Sequence, residues 1–205
     1  MLTKHAKKAG ADATLQVSPY YNKPTQEGLY QHFKTIAEEC DLPVIVYNIA
    51  SRTGVNIEPE TMARISKVKN IVGVKESSGN LEHMSKICYL CGDKFDLISG
   101  DDALTLPLLA IGGTGVISVV NNIVPADVAD MVAKFQSGDL EGAKKLHYKL
   151  LPLIKAVFLE TNPIPVKTAM SLMGMIEPDL RLPLCSMSEG NLEKLKKTLR
   201  DYGLF

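Results

Sequence analysis

The stretch Ile71-Val72-Gly73-Val74-Lys75 decides the fold, because it is a short β-branched run that ends in a lysine. Four comparable runs lie around it along the chain: TLQVS (14–18), VIVYN (44–48), FDLIS (95–99) and GVISV (115–119). Apolar runs of this length are typical of strands that a parallel sheet buries on both faces. Apolar residues at helical spacing fill the intervals, for example Leu29, Phe33 and Ile36. The sequence therefore predicts five strand–helix units.

The alternation of strands and helices stops near residue 139, where long helical patterns take over. Helices are predicted over 140–158, with a bend at Pro152, over 165–174 and over 189–202. Five parallel strands fit either an open doubly wound sheet or part of a (β/α)₈ barrel. No nucleotide-binding glycine motif follows the first strand, so nucleotide-binding versions of the sheet have no support. The predicted organisation is an α/β region over residues 1–137 and a helical domain over residues 138–205.

The composition excludes several classes of partner. The 205 residues include 23 basic and 23 acidic side chains, so the formal net charge is zero and predicts no nucleic-acid or anionic-membrane partner. No apolar run approaches the roughly 20 residues that span a bilayer. The four cysteines do not form a disulfide framework in a chain of this length, so a reducing cytoplasm is the expected compartment.

Side chains that could take part in a reaction follow the predicted strands. The carboxyl ends of parallel strands are where α/β folds place reactive groups. In chain order these ends bring Tyr20 and Tyr21, then Tyr47, Asn48 and Arg52, then Lys75 and Glu76, then Gly100, Asp101 and Asp102, and finally Ile117 and Ser118.

Lys75 is the most informative of these residues, because it extends a run that should be buried. An ammonium group is costly to bury unless it is paired or loses its proton. At an ordinary pKa roughly one lysine in 2,500 is neutral at pH 7, whereas a pKa of about 7 makes half of them neutral. A neutral, desolvated lysine can form a Schiff base. The alternative is a structural ion pair with Glu76 or with an aspartate.

Three further candidates also have structural interpretations. Tyr20 and Tyr21 could relay a proton or could pack at the rim of the fold. Arg52 could bind a carboxylate through two hydrogen bonds or could be a solvated loop residue.

No metal site is predicted from the remaining residues. Cys88 and Cys91 lie on an apolar helical stripe and are expected to pack in the core, and the four histidines are expected on helix surfaces. Gly112 to Gly115 precede a strand, so they predict a tight turn and not a phosphate-binding loop.

Several of these segments together resemble one family. VSPYYNKPTQEGLYQHF, YNIASRTG, VGVKESSGN, LISGDDA, GGTGVISV and TNPIPVK are similar to successive signatures of the dihydrodipicolinate synthase family. This family belongs to the pyruvate-dependent aldolases, which include N-acetylneuraminate lyase. The resemblance runs from end to end of the chain.

The resemblance implies a (β/α)₈ barrel with a C-terminal helical domain, of which this chain would hold strands four to eight. The family's GTTGE motif is absent, so the chain is expected to be truncated at its N-terminus. The alternatives are a catalytically inactive remnant or interaction subunit, or a related pyruvate-dependent aldolase.

The resemblance also implies an activity and the residues behind it. The reaction is the condensation of pyruvate with aspartate 4-semialdehyde, on the route to diaminopimelate and lysine. Lys75 corresponds to the Schiff-base lysine, Tyr21 to the proton donor and Arg52 to the residue that binds the semialdehyde carboxylate. Gly100 and Ile117 correspond to positions that line the pyruvate pocket. The family further implies a homotetramer in the cytoplasm, with no cofactor beyond the covalent lysine adduct.

Overall fold

The structure, a computed structural model, describes residues 1–204 and contains two compact units, residues 1–117 and the residues from 118 onward. The first unit is a parallel α/β structure. Its strands are β1 (Thr14–Val17), β2 (Val44–Asn48), β3 (Ile71–Glu76), β4 (Asp96–Ser99) and β5 (Gly115–Val116). Its helices are α1 (Leu2–Lys8), α2 (Gln26–Glu39), α3 (Ala50–Thr53), α4 (Pro59–Ile65), α5 (Leu81–Cys91) and α6 (Thr105–Ala110).

The five strands form one sheet in the order of the chain, β1-β2-β3-β4-β5, and every neighbouring pair is parallel. This arrangement confirms the predicted strand–helix repeat and the parallel sheet. The register of β2 on β3 contains one irregularity, since Val44 pairs with Ile71 whereas Ile45 pairs with Gly73. Val72 is therefore an extra residue in β3, and beyond it Tyr47 pairs with Lys75. This bulge sets which side chains of β3 face which side of the sheet.

One face of the sheet is buried and the other is only partly covered. Val44, Val46, Val74 and Leu97 are inaccessible to solvent and form the core with α2, α4 and α5. On the opposite face, Leu15 and Val17 of β1 remain 45% and 44% exposed. The prediction that the strands are buried on both faces is therefore wrong for the edge strand β1, because the face of the sheet that carries Leu15 and Val17 is left open to solvent.

The last strand is shorter than predicted. Only Gly115 and Val116 of GVISV are extended. Ile117 still donates its N–H to Ser99 O at 2.9 Å, but the chain then turns into a 3₁₀ segment, Val120–Asn122. Backbone hydrogen bonds to β4 thus end two residues before the apolar run does, which shows that β-propensity alone does not define this strand.

The second unit is helical, as predicted. It contains α7 (Pro125–Gln136), α8 (Leu140–Ala156), α9 (Ile164–Leu172) and α10 (Glu189–Tyr202). Helix α7 packs along α8, and α10 packs on α8 and α9. The compact units divide after Ile117, whereas the sequence predicts a domain boundary after residue 137. The difference arises because α7, which the strand–helix alternation assigns to the barrel, packs against α8.

Three side chains hold the C-terminal helix in the second unit. Tyr202 near the end of α10 donates its hydroxyl to Asp127 of α7, and Lys149 of α8 lies 2.6 Å from the same carboxylate. Lys149 and the Tyr202 hydroxyl lower the pKa of Asp127, since both stabilise its ionised form. The hydrophobic pattern that predicts α10 is thus supported by a polar contact that the sequence does not reveal.

Candidate active site

Lys75 lies near the carboxyl end of β3, the central strand of the sheet. Its side chain is partly buried, and burial lowers its pKa below the ordinary value, while the charge of Asp102 acts in the opposite direction. Asp102 is itself buried, at the start of a 3₁₀ turn that follows β4. Desolvation is the larger effect, so the neutral amine that nucleophilic attack requires is more populated at Lys75 than at an ordinary exposed lysine.

Tyr47 is the aromatic residue beside this lysine. Residues 47 and 75 are directly paired between β2 and β3, and Lys75 Nζ lies 4.4 Å from the centre of the Tyr47 ring. Sequence analysis places Tyr47 at a strand end but gives it no role. Alternation along β2 separates it from its neighbours: Val46 and Asn48 are buried on one face, and Tyr47 lies on the other face with only partial burial.

Gly100 makes room for the lysine. A β-carbon at this position would lie 2.8 Å from Lys75 Cε and 1.9 Å from Ser77 Oγ. Both distances are shorter than real β-carbons show, so a side chain here would displace Lys75 or its neighbour. The structure therefore places Gly100 against the side chain of Lys75, and its expected place in the pyruvate pocket stays a prediction.

Glu76 does not face Lys75. Its side chain is fully buried and accepts hydrogen bonds from Asn48 Nδ2 at 2.9 Å and from Ser78 N at 2.6 Å. Since successive side chains of a strand point to opposite faces, Lys75 and Glu76 lie on different sides of the sheet. The geometry thus gives no support to a structural Lys75–Glu76 ion pair.

His83 is buried next to this glutamate. Its side chain is 8% exposed, and its Nε2 atom lies 3.6 Å from Glu76 Oε2. The Glu76 carboxylate raises the pKa of His83, and this exceeds the opposing effect of burial. The expectation that all four histidines lie on helix surfaces is wrong for His83, because α5 begins beside the end of β3.

Arg52 lies in α3, the short helix that directly follows β2, and its side chain is exposed. Thr53 Oγ1 donates to Ile49 O at 3.0 Å, and Gly54 ends the helix in the left-handed conformation. These features fix Arg52 at the same edge of the sheet as Lys75. Its proposed carboxylate partner stays a prediction.

The structure does not bring Tyr21 to the lysine. Tyr21 lies in the turn after β1 and is 88% exposed. The ring of Tyr47 lies beside Lys75, and the role of Tyr21 as proton donor stays a prediction. Ile117 follows β5 and is partly buried, and its contact with pyruvate stays a prediction.

The remaining sequence motifs have structural roles. Cys88 and Cys91 are partly buried and pack against the core as predicted, and burial raises the pKa of both thiols. Gly112 adopts a positive φ in the turn between α6 and β5, which confirms the predicted turn. Within residues 1–204, no group of three or more His, Cys, Asp or Glu side chains could hold a metal ion. No helix in that range is long and apolar enough to cross a membrane.

Comparison with known proteins gives one consistent result. The model of the dihydrodipicolinate synthetase family matches residues 1–202. A 4-hydroxy-tetrahydrodipicolinate synthase of Endomicrobium trichonymphae is 61% identical over 203 residues, which are 98% of this chain and 69% of the relative.

Solved structures agree with this similarity. The crystal structure of dihydrodipicolinate synthase from Thermotoga maritima is 50% identical with a TM-score of 0.97, covering 100% of this chain and 70% of that one. The chloride-inhibited enzyme of Acinetobacter baumannii, complexed with pyruvate, is 44% identical with a TM-score of 0.97 and the same coverage of 100% and 70%. The parallel sheet and the C-terminal helices therefore correspond to part of a (β/α)₈ barrel and its helical domain.

Proposed function

This chain belongs to the dihydrodipicolinate synthetase family, and from that membership we propose that it is a lyase that condenses pyruvate with aspartate 4-semialdehyde through a Schiff base on Lys75. The product is 4-hydroxy-tetrahydrodipicolinate, a precursor of diaminopimelate and lysine. The observation that carries the proposal is the desolvated Lys75 amine beside the Tyr47 ring at the carboxyl edge of the sheet.

The first half of the reaction activates pyruvate. The neutral amine of Lys75 attacks the ketone carbon, and a proton moves from nitrogen to oxygen to give a carbinolamine. Loss of water then leaves the imine, and removal of a proton from the methyl carbon gives the enamine nucleophile. The lysine itself makes the covalent link, so this chemistry needs no further cofactor.

Proton transfer is assigned to Tyr47 in place of Tyr21. A phenol next to the reacting nitrogen can give a proton to the departing hydroxyl and take one back in a later step. Tyr47 is held by direct pairing of its strand with that of Lys75, so its backbone cannot drift away from the amine. Gly100 leaves room for the Lys75 side chain, and the bound pyruvate is proposed to lie next to it.

The second half joins the acceptor. The enamine carbon attacks the aldehyde carbon of aspartate 4-semialdehyde, which regenerates the Lys75 imine, and the new alkoxide takes up a proton. The amino group of the acceptor then adds to the imine carbon, and the Lys75 amine leaves after taking up a proton, which closes the ring and releases the product. Arg52 is proposed to bind the carboxylate of this acceptor, since a guanidinium can bind a carboxylate through two parallel hydrogen bonds. Both substrates are small molecules, and we propose that the protein acts as a homo-oligomer, a tetramer by analogy with the family, in the cytoplasm.

The test of the Schiff base is chemical trapping. The protein is incubated with pyruvate and borohydride, and mass spectrometry of its peptides should find one carboxyethyl group on Lys75. Lys75→Ala should abolish the modification, whereas Lys69→Ala, at the end of the turn before β3, should leave it unchanged. Modification that persists at the wild-type level in Lys75→Ala would remove Lys75 from the role of nucleophile.

The test of proton transfer compares two tyrosines. Tyr47→Phe should slow imine formation by about 10²–10⁴-fold, the usual contribution of general acid–base catalysis. Tyr21→Phe should have a smaller effect on the same step, since its side chain is exposed. The reverse order would return the proton-transfer role to Tyr21.

A further inference from the structure

Two neighbouring residue pairs join the carboxyl ends of β2 and β3. Tyr47 pairs with Lys75, and one residue further on Asn48 pairs with Glu76. The first pair faces the side of the sheet where the proposed chemistry takes place. The second pair faces the opposite side, where Asn48 and Glu76 are both completely inaccessible to solvent. Asn48 Nδ2 donates to Glu76 Oε2 at 2.9 Å, so the two strands are joined by a direct, fully buried hydrogen bond.

The beginning of the two strands does not determine this alignment. Val44 pairs with Ile71, but the extra residue Val72 then shifts the register so that Ile45 pairs with Gly73. A slip of one residue in a strand moves every side chain to the other face. If β3 lost its bulge, Lys75 would turn toward the core and Glu76 toward the site. Something beyond the bulge must therefore specify the register that brings Lys75 to Tyr47.

The hydrogen bonds of Asn48 supply that specification. Asn48 Nδ2 also donates to Asn56 Oδ1 at 2.9 Å, and Asn48 Oδ1 accepts from Ile57 N at 3.0 Å. The other oxygen of the glutamate, Oε1, accepts from Ser78 N. A shifted register would leave these buried groups without partners, which is strongly unfavourable for a carboxylate.

We propose that the buried Asn48–Glu76 hydrogen bond fixes the β2–β3 register and so holds Lys75 against Tyr47, which makes Asn48 and Glu76 positioning residues for the reaction proposed above. The proposal rests on the proposed function only for the identity of the reaction that benefits. His83 Nε2, 3.6 Å from Glu76 Oε2, places a basic group beside the carboxylate. The buried negative charge thus has a partner on its own side of the sheet and does not need Lys75 as its counter-ion.

The sharpest test exchanges the two polar groups. Asn48→Asp alone places two carboxylates face to face. Glu76→Gln alone leaves either Asn48 Nδ2 or Ser78 N without an acceptor, whichever way the new amide is turned. In the double variant Asn48→Asp/Glu76→Gln, the amide at 76 donates to the carboxylate at 48 and still accepts from Ser78 N. The double variant therefore restores the bond between the strands with donor and acceptor reversed. Asn56, whose Oδ1 accepts from Asn48 in the wild type, has to turn its side-chain amide so that its Nδ2 donates to the carboxylate at 48 instead of to Glu58.

Two measurements follow the consequence at Lys75. The first is the rate of pyruvate-dependent trapping by borohydride, expressed per folded molecule. The second is the pKa of Lys75 in the absence of pyruvate, from the pH dependence of its acetylation by acetic anhydride. We expect each single variant to lower trapping by about tenfold or more and to return the pKa of Lys75 toward its ordinary value, and the double variant to recover to within about threefold. Asn80→Asp and Glu82→Gln make the same chemical changes at the start of α5 and should change neither measurement.

Each outcome decides the proposal. Single variants that fold and keep the wild-type trapping rate and Lys75 pKa would overturn it, as would a double variant as impaired as the singles. If the single variants do not fold, a double variant that folds and is trapped supports the proposal, and one that also fails to fold overturns it. Absence of trapping in the wild-type protein would refute the proposed function alone, because the pKa of Lys75 still reports on its position in all four proteins.

Discussion

Gly100→Ala is the substitution whose effect the structure defines most sharply. The new β-carbon would lie 1.9 Å from Ser77 Oγ, 2.8 Å from Lys75 Cε and 3.0 Å from Lys75 Cγ. Carbon atoms in favourable contact are about 3.5–4.0 Å apart, so the lysine side chain has to move by roughly 1 Å. A displacement of that size can cost about 10²-fold in the rate of a well-oriented reaction.

The effect of this substitution on stability should be smaller than its effect on chemistry. Overpacking usually costs about 1–3 kcal/mol, and 1 kcal/mol lowers the melting temperature of a chain of this length by about 2–4 °C. Ser77 Oγ is buried without a hydrogen-bond partner, so its removal should cost little. We therefore expect Ser77→Ala to restore much of the lost stability of Gly100→Ala while leaving trapping slow, because the contact with Lys75 Cε remains.

The assay combines thermal melting with the rate of pyruvate-dependent borohydride trapping on Lys75. Gly190→Ala is the matched control, because a β-carbon at Gly190 in helix α10 meets no atom within 4 Å. It should melt at the wild-type temperature or slightly above and be trapped at the wild-type rate. Trapping of Gly100→Ala at the wild-type rate would refute the reasoning that Gly100 makes room for the reactive lysine.

Three further predictions concern the acceptor, pH and the sheet edge. Arg52→Ala should raise KM for aspartate 4-semialdehyde about 10- to 150-fold, equivalent to about 1.5–3 kcal/mol, with little change in KM for pyruvate. Equal changes in the two KM values, measured by steady-state kinetics, would show that Arg52 has a structural role. The Glu76 carboxylate raises the pKa of His83, so the stability that this pair contributes should be complete below about pH 6.5 and be lost as the pH rises through the raised pKa. His83→Gln should therefore make the melting temperature less dependent on pH over this range. An unchanged pH profile would contradict the ion pair. Val17→Lys on the exposed face of β1 should reduce self-association, measured by light scattering, with little change in melting temperature. Val46→Ala in the core should instead lower the melting temperature markedly. Equal scattering by the wild type and Val17→Lys would exclude β1 as the surface of self-association.

Sequence reasoning succeeded where local pattern and tertiary structure agree. The runs at 14–17 and 44–48 are strands because β-branched residues fit a pleated surface next to a buried helix layer, and the same reasoning located Lys75 at a strand end. The last strand is predicted too long, because only Gly115 and Val116 are extended and the chain turns into a 3₁₀ segment after Ile117.

The contact between Lys75 and Tyr47 cannot be predicted from the sequence for a different reason. Two candidate tyrosines follow β1 and one lies near the end of β2, and the order of the strands together with their register decides which of them meets the lysine. That register depends on the extra residue Val72, which no local pattern reveals. An ion pair between Glu76 and Lys75 is likewise ruled out by alternation in a strand, which points adjacent side chains to opposite faces. The helical pattern predicts a surface position for His83, because the sequence does not show that α5 begins beside a buried carboxylate.

The central position of β3 has a consequence for how the protein loses activity. β3 is hydrogen-bonded to a strand on each side, so its amide groups should exchange with solvent only in the most extensive opening events. Arg52, in contrast, belongs to a four-residue helix on a connection, which can open locally at a lower free energy. In increasing denaturant the protein should therefore stop using the acceptor while it still captures pyruvate, and the nucleophile should be among the last functional groups to disappear.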